Sequence, residues 1–458
     1  MSSLFSLVST MGNALSAQQE GLNVTGQNVS NVNTPNYVEQ TTDLQTTNGG
    51  GVTASAQRSF DAFTFGQVLV QQGLAGAANA QSEALNEAQA VVAPQGGGSV
   101  GDSMTSFFSS LETLSATPSD PSAQSAVLAA ATQVAQSFST TAGGLSQQQS
   151  SLLSQAQGVA TELNSDLTQI ASLNAQVAQA NASGNPSPDL SDQLDSVVSS
   201  VSTLVGGSVV QDPSGSVTLY AAGAALVTGN QASSVAVSAG PSGAMQITVT
   251  DPGGTPTDVT SNVTAGTLGG LAQANVEVGQ TTSQLDQLAN GFATSVNAIQ
   301  KAGYGSDGVT GRPLFTPPTQ VAGSAANMSI DPSVAGQPNA IATATSAQDL
   351  PGGNGAVVAL EGLANQSIGS GGSPSQWFGS ITAQIGNAAA SASTDAATRA
   401  ETVTQAQNLN SSASGVSLTQ ESVNMTQFQQ AFEAATQVLT VASNLLGEFI
   451  SSVGATTA

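Results

Sequence analysis

Apolar residues near the start of the chain fall at Leu4, Val8, Met11, Leu15, Leu22 and Val29, with Gln18 and Thr25 at the two positions that would complete the series. Spacings of three, four and seven residues share one face of an α-helix, so the pattern predicts a coiled-coil-like helix with a weakened seam. Asn33-Thr34-Pro35-Asn36-Tyr37 ends it as a turn motif. Pro35 fixes φ, and Asn36 tolerates the positive φ that a type II turn needs.

The other end carries the stronger signal. Met425, Phe428, Phe432, Ala435, Leu439, Ala442, Leu446 and Phe449 alternate gaps of three and four without a miss, and no proline interrupts Leu418–Val453. Burying large side chains of this kind contributes roughly 1.5–3 kcal/mol each, before the entropy of ordering them. One helix cannot cover such a seam by itself. It needs a partner in this chain or in a neighbour, so both stripes are read as subunit-packing faces.

Between the ends the first half is helical in pattern. Ser103–Leu114 carries Met104, Phe107, Phe108, Leu111 and Leu114 on one side. After the loop Thr117–Pro121 an alanine-rich helix runs to about Ala142, and another from about Ser146 to Ala182. From about Gly206 to Val263 the period changes to that of strands. Val209-Val210, the turn Asp212–Gly215 and Val217–Tyr220 read as a hairpin, continued by Ile247–Val249 and Pro252-Gly253-Gly254. A helix follows at about Thr282–Gln300. Gly303 to about Pro374 is rich in glycine, proline, serine and asparagine, and helices resume near Gln376.

The expected fold is mainly α with β inserts, nested and multidomain. Residues 1–35 and 418–458 form a terminal α-helical coiled coil. Residues 36–205, 264–302 and 376–417 form a helical inner domain. Residues 206–263 are a β-rich insert, and 303–375 a second insert of short strands and loops.

Composition then narrows the function. Of 458 residues 39% are apolar, enough for a sizeable core, yet only 7% are charged, against roughly 25% in ordinary domains. Solubility must come from Ser, Thr, Gln, Asn and backbone amides. Arg58, Lys301, Arg312 and Arg399 are the only cations, and the formal charge is −24. Four scattered cations cannot neutralise a run of phosphates or an anionic lipid surface, which argues against nucleic acid and membrane partners. No apolar run reaches the roughly 18 residues of a membrane span, so no membrane insertion is expected. No positively charged leader precedes Arg58, so export would not use a cleaved signal peptide.

There is no cysteine and no histidine. The usual imidazole base, thiolate nucleophile and zinc site are therefore missing, and neither catalytic residues, metal nor cofactor are expected. Gly97-Gly98-Ser99-Val100-Gly101 matches a nucleophile elbow, but it lies in a glycine-rich linker with no histidine to serve it. Gly303–Val309 is one imperfect copy of a calcium nonapeptide, a motif that works only in stacked repeats, and reads as a surface turn.

Two segments then resemble a known family, the flagellar rod and hook axial proteins. They are Asn28-Val29-Ser30-Asn31-Val32-Asn33-Thr34-Pro35-Asn36-Tyr37, and Gly415-Val416-Ser417-Leu418 with Asn424–Phe432 and Thr436–Leu439. Phe107–Leu114, Arg58–Asp61 and Leu285–Ala289 with Asn297 and Gly308–Phe315 are similar to its hook–filament junction branch. The family usually has glycine where Asn36 stands and often arginine near position 39, where Glu39 reverses the charge. The resemblance implies a non-enzymatic subunit, exported through the flagellar type III apparatus, that assembles with itself into a short helical ring. It implies three other partners: the hook protein, hook-associated protein 3, and a cytoplasmic export chaperone that shields the C-terminal helix. The hook protein itself is the alternative within the family. A secreted adhesin or fibre protein is the alternative outside it, and it leaves the paired terminal stripes unexplained.

Overall fold

The computed structural model describes residues 2–34, 37–46, 51–240, 243–369 and 371–456, with side chains from Phe5 to Ser452. Helix α1, Ser2–Asn31, leads into an antiparallel hairpin of β1, Gln40–Thr46, and β2, Val52–Arg58, in which Gln40 faces Arg58 and Thr46 faces Val52. This hairpin corrects the all-helical reading of 36–205. Its strands are short and largely polar, so no apolar alternation announces them.

Helix α2, Ala62–Val92, starts where Asp61 accepts a hydrogen bond from the Thr64 amide. Helix α3, Val100–Ala116, starts in a capping box. The Ser99 hydroxyl accepts from the Asp102 amide, and the Asp102 carboxylate accepts from the Ser99 amide. The serine of the elbow-like motif is thus a helix cap.

Helix α4 runs unbroken over Pro121–Ala182, 62 residues and about 90 Å at 1.5 Å per residue. Two helices were expected here. Phe138, Ala142, Leu145 and Leu152 are buried in succession, so one apolar face continues through Gly143-Gly144, and packing outweighs the low helix propensity of that pair.

Helix α5 spans Pro188–Val205, and α6 spans Gly266–Ala302. The sequence pattern starts α6 only near Thr282. Its extra turns contain glycines that read as breakers, but they serve contact: a Cβ on Gly270 would lie 2.1 Å from the Ala77 carbonyl oxygen of α2. Helices α7, Gly355–Gly362, α8, Pro374–Ser414, and α9, Leu418–Thr456, complete the series.

The strands at 208–211, 217–221 and 245–250 fall where the sequence placed them, the last in a separate sheet from the hairpin, and four further strands among the described residues fill the same region. β3, Ser208–Gln211, β4, Val217–Ala221, β5, Ala224–Thr228, and β6, Gln231–Ala232, form one sheet in that order. β7, Ser234–Ala239, β8, Met245–Thr250, and β9, Thr257–Asp258, form a second. The 303–375 region is mostly turns around β10, Tyr304–Gly305, paired with β11, Ala342–Ala344, and it also holds α7. In its calcium-like turn the Asp307 carboxylate accepts from Arg312 at 2.7 Å and from the Val309 amide at 3.0 Å.

Both inserts share one apolar core with the helices. Ile247 and Val249 of β8, and Leu314, Phe315, Ile341 and Val357 of the second insert, are buried in the same cluster as Phe107, Phe138 and Phe292. Phe315 sits 5.8 Å from Phe292, ring centre to ring centre, and Phe292 sits 5.9 Å from Phe107.

Side-chain amides on the helices hold the extended segments. Asn174 of α4 donates to the carbonyls of Val217 (2.8 Å) and Gly229 (2.7 Å) and accepts from the Val217 amide (2.8 Å). Asn164 grips both backbone groups of Val235, at 2.8 and 2.7 Å. Asn297 of α6 donates to the Phe315 carbonyl (2.8 Å) and accepts from the amides of Leu314 and Phe315 (both 2.9 Å). Gln300 bridges Ala340 and Ala342 in the same way.

Replacing Asn297 by leucine strands three backbone groups beside a buried side chain, at about 1–3 kcal/mol for each group left unpaired. Thermal unfolding of Asn297→Leu should show a clear fall in the main transition, while an exposed control such as Gln429→Leu should leave it in place.

Candidate assembly surface at the paired ends

Helices α1 and α9 pack against each other. On α9, Met425, Phe428, Phe432, Ala435, Leu439 and Leu446 are half-buried and Ala442 is 2% exposed, so the stripe read from the sequence does turn inward. Phe449, at its far end, is exposed.

The α1 stripe is displaced from its expected position. Val8, Met11, Leu15 and Leu22 are only half-buried, Val29 is exposed, and the Leu4 side chain lies outside the described residues. The deeply buried positions are Ala17, Gly21, Val24, Thr25 and Asn28. Ala17, Gly21, Val24 and Asn28 are spaced by four, three and four, a signal legible in the sequence but carried by small and polar residues. Their smallness brings the helices close. A Cβ on Gly21 would lie 2.5 Å from the Phe428 ring.

A second apolar face of α9 stays uncovered. Val438, Val441 and Leu445 are exposed, Val441 by 59%, and Ile450, on the opposite side of the helix from Val441, is exposed too. Phe5 and Leu7 of α1 are exposed too.

Below this pair the chain is tied to the body of the molecule. Asn28, fully buried, donates to the Gln40 carbonyl (2.7 Å) and accepts from the Gln40 amide (3.0 Å) and the Tyr37 hydroxyl (2.9 Å). Of the turn motif, Thr34 donates to the Asn31 carbonyl, Tyr37 donates to the Thr34 carbonyl, and Asn33 is exposed. Pro35 and Asn36 lie outside the described residues. The end of α8 joins in. The Ser414 carbonyl accepts from the Glu39 amide (2.8 Å), its hydroxyl accepts from the Asp61 amide (3.0 Å), and Asn410 accepts from the Thr64 hydroxyl (3.0 Å).

Arg58 on β2 reaches Asp192 at 2.7 Å and Asp195 at 2.5 Å on α5, with its guanidinium 5.0 Å from the Phe60 ring centre. One cation for two carboxylates leaves the group short of positive charge. Burial pushes Asp192 up to about 6, against the pull of Arg58 and with the repulsion of Asp195 and Asp189. Burial and the surrounding carboxylates push the Tyr37 hydroxyl up to about 12. No group of three or more acidic residues able to hold a metal ion occurs among the described residues. The arrangement presents surfaces and couples the ends to the body.

Such ends define a class, the axial subunits of the flagellum. Residues 9–37 match the flagella basal body rod protein model, and residues 407–452 match the C-terminal model of the basal body rod FlgEFG proteins. The interior decides within that class, because residues 85–315, half of the chain, match the helical domain of the flagellar hook-associated protein FlgK. The chain belongs to the FlgK family of flagellar hook-associated proteins. Its sequence is 31% identical to flagellar hook-associated protein 1 of Salmonella typhimurium over 68% of this chain, and it spans 59% of the length of that relative. It is 26% identical to the proteins of that name from Escherichia coli K12, over 97% of this chain and 99% of the relative, and Bacillus subtilis 168, over 99% of each. The solved flagellar hook junction protein FlgK from Burkholderia pseudomallei superposes with a TM-score of 0.51 at 29% identity, over 55% of this chain and 46% of that one.

Gly21→Val should force Phe428 aside and part the terminal helices. Hydrogen exchange should then show lost protection in α1 and α9, with the main thermal transition unchanged. A main transition lowered as far as in Asn297→Leu would place the pair inside the central cooperative unit.

Proposed function

We propose that this protein is a structural subunit of the bacterial flagellum that assembles with copies of itself into the hook–filament junction and adapts the hook to the filament. One observation carries the reading. Helix α9 has two apolar faces, and the chain's own α1 covers only one of them. The open face, Val438, Val441 and Leu445, repeats at helical spacing and meets a charge only at its far end, Glu448, as suits a helix packed on several sides in a tube. The family supports the place in the organelle.

On this reading the hook protein lies on one side of the ring and hook-associated protein 3 on the other. A cytoplasmic chaperone covers the open face of α9 before export. Scarcity of charge suits the assembled state, since subunits packed by apolar and amide surfaces bury few ions.

Immunogold labelling of isolated flagella tests the placement: a zone confined to the distal end of the hook is expected, and label along the whole hook shaft would make this the shaft subunit instead. Val441→Asp tests the face. The residue is exposed in the single chain, so the thermal transition should stay where it is. A carboxylate at each copy of a packed interface should abolish polymerisation in sedimentation and leave cells without filaments. Assembly at the wild-type level would remove this face from the interface.

A further inference from the structure

Glu421 lies in the first turn of α9 and is 1% exposed, and its Oε2 has no hydrogen-bond partner among the described residues. A buried carboxylate oxygen without a donor is costly. Across from it stands Glu39, half-buried, with its carboxyl within hydrogen-bonding reach of Glu421. The Glu39 backbone is fixed on both sides, its amide donating to Ser414 of α8 and its carbonyl accepting from Ser59. Two carboxylates cannot bond to each other. A carboxylic acid and a carboxylate can, and the acid proton is the donor Glu421 lacks.

We propose that Glu39 and Glu421 form a proton-operated latch, which joins the start of the C-terminal helix to the body of the protein when one proton is shared and loosens it when both groups ionise.

The surroundings favour holding that proton. The last turns of α1 present Asn28 and no charge, and the end of α8 presents Asn410 and Ser414, also uncharged. The linker adds Tyr37, whose hydroxyl is engaged with Asn28. Helix α5 adds Asp189, Asp192 and Asp195, and their one nearby cation, Arg58, is committed to the last two. No cation is left to neutralise a doubly ionised pair. Burial first, then the hydrogen bond with Glu421 and its negative charge, raise Glu39 above the ordinary glutamate value. A carboxyl raised in the folded state stabilises it fully below the unfolded value and loses that effect as pH rises through the folded value. The latch is therefore closed in acid and opens toward neutrality.

Hydrogen exchange on the full chain at about pH 4.5 and about pH 7.5, on either side of the range of a raised glutamate, reads the latch. Rates are divided by the intrinsic rate at each pH, and amides of the α2–α6 body serve as reference. In the wild type, protection in the first turns of α9 should drop at least several-fold toward neutral pH. Glu39→Gln and Glu421→Gln each supply a permanent donor and should hold acid-like protection at both pH values. Asp192→Asn should leave the wild-type drop intact. Protection in the wild type that does not change with pH, a drop that persists in both glutamine variants, or a drop abolished only by Asp192→Asn would each overturn the latch.

Discussion

A buried asparagine on a helix can do what a neighbouring strand does, by donating to a carbonyl and accepting from an amide of the same extended residue. Asn28 does this for Gln40, Asn164 for Val235, Asn174 for Val217 and Asn297 for Phe315. Each clamp satisfies polar groups that would otherwise be stranded against an apolar core. Their positions are also the attachment points of the molecule: the hairpin after α1, both sheets of the first insert, and the heart of the second. Without these amides each of these joints would leave backbone groups unpaired against the core.

The dependence on amides follows from the scarcity of charge. A domain with ordinary numbers of lysine and arginine can satisfy carboxylates and carbonyls with long flexible side chains. Here only four cations are available; Arg58 is committed to Asp192 and Asp195 of α5, and Arg312 to Asp307 within a turn. Asparagine and glutamine bring both donor and acceptor without the desolvation cost of an ion. The same economy at the ends, where α9 is apolar on two sides and carries three glutamates and no cation over its length, leaves helices that can be covered on several sides at once.

The joint between ends and body concentrates what charge there is. Asn28, the Ser414 carbonyl and the Glu39 backbone tie three chain segments together within a small volume, and five carboxylates approach it with one guanidinium. A rigid attachment and an excess of negative charge meet in this joint, which anchors the terminal helices and is where the proposed latch would respond to protons.

Much of this architecture was legible in the sequence because it is set by local period. The unbroken three-four spacing from Met425 to Phe449 determined an amphipathic helix, and the alternation and turns of 206–263 determined strands. The absence of cysteine and histidine removed whole classes of chemistry. The apolar stripe did not decide which face of α1 is buried most deeply, because Gly21 is buried by fitting the Phe428 ring rather than by hydrophobicity. Nor could local period decide that α4 continues through Gly143-Gly144, where the buried face of the helix outweighs local propensity. The meeting of Glu39 with Glu421, and of Ser414 with Glu39 and Asp61, joins residues hundreds of positions apart. Only the tertiary structure decides such contacts, because their energy depends on what the rest of the fold brings within hydrogen-bonding distance.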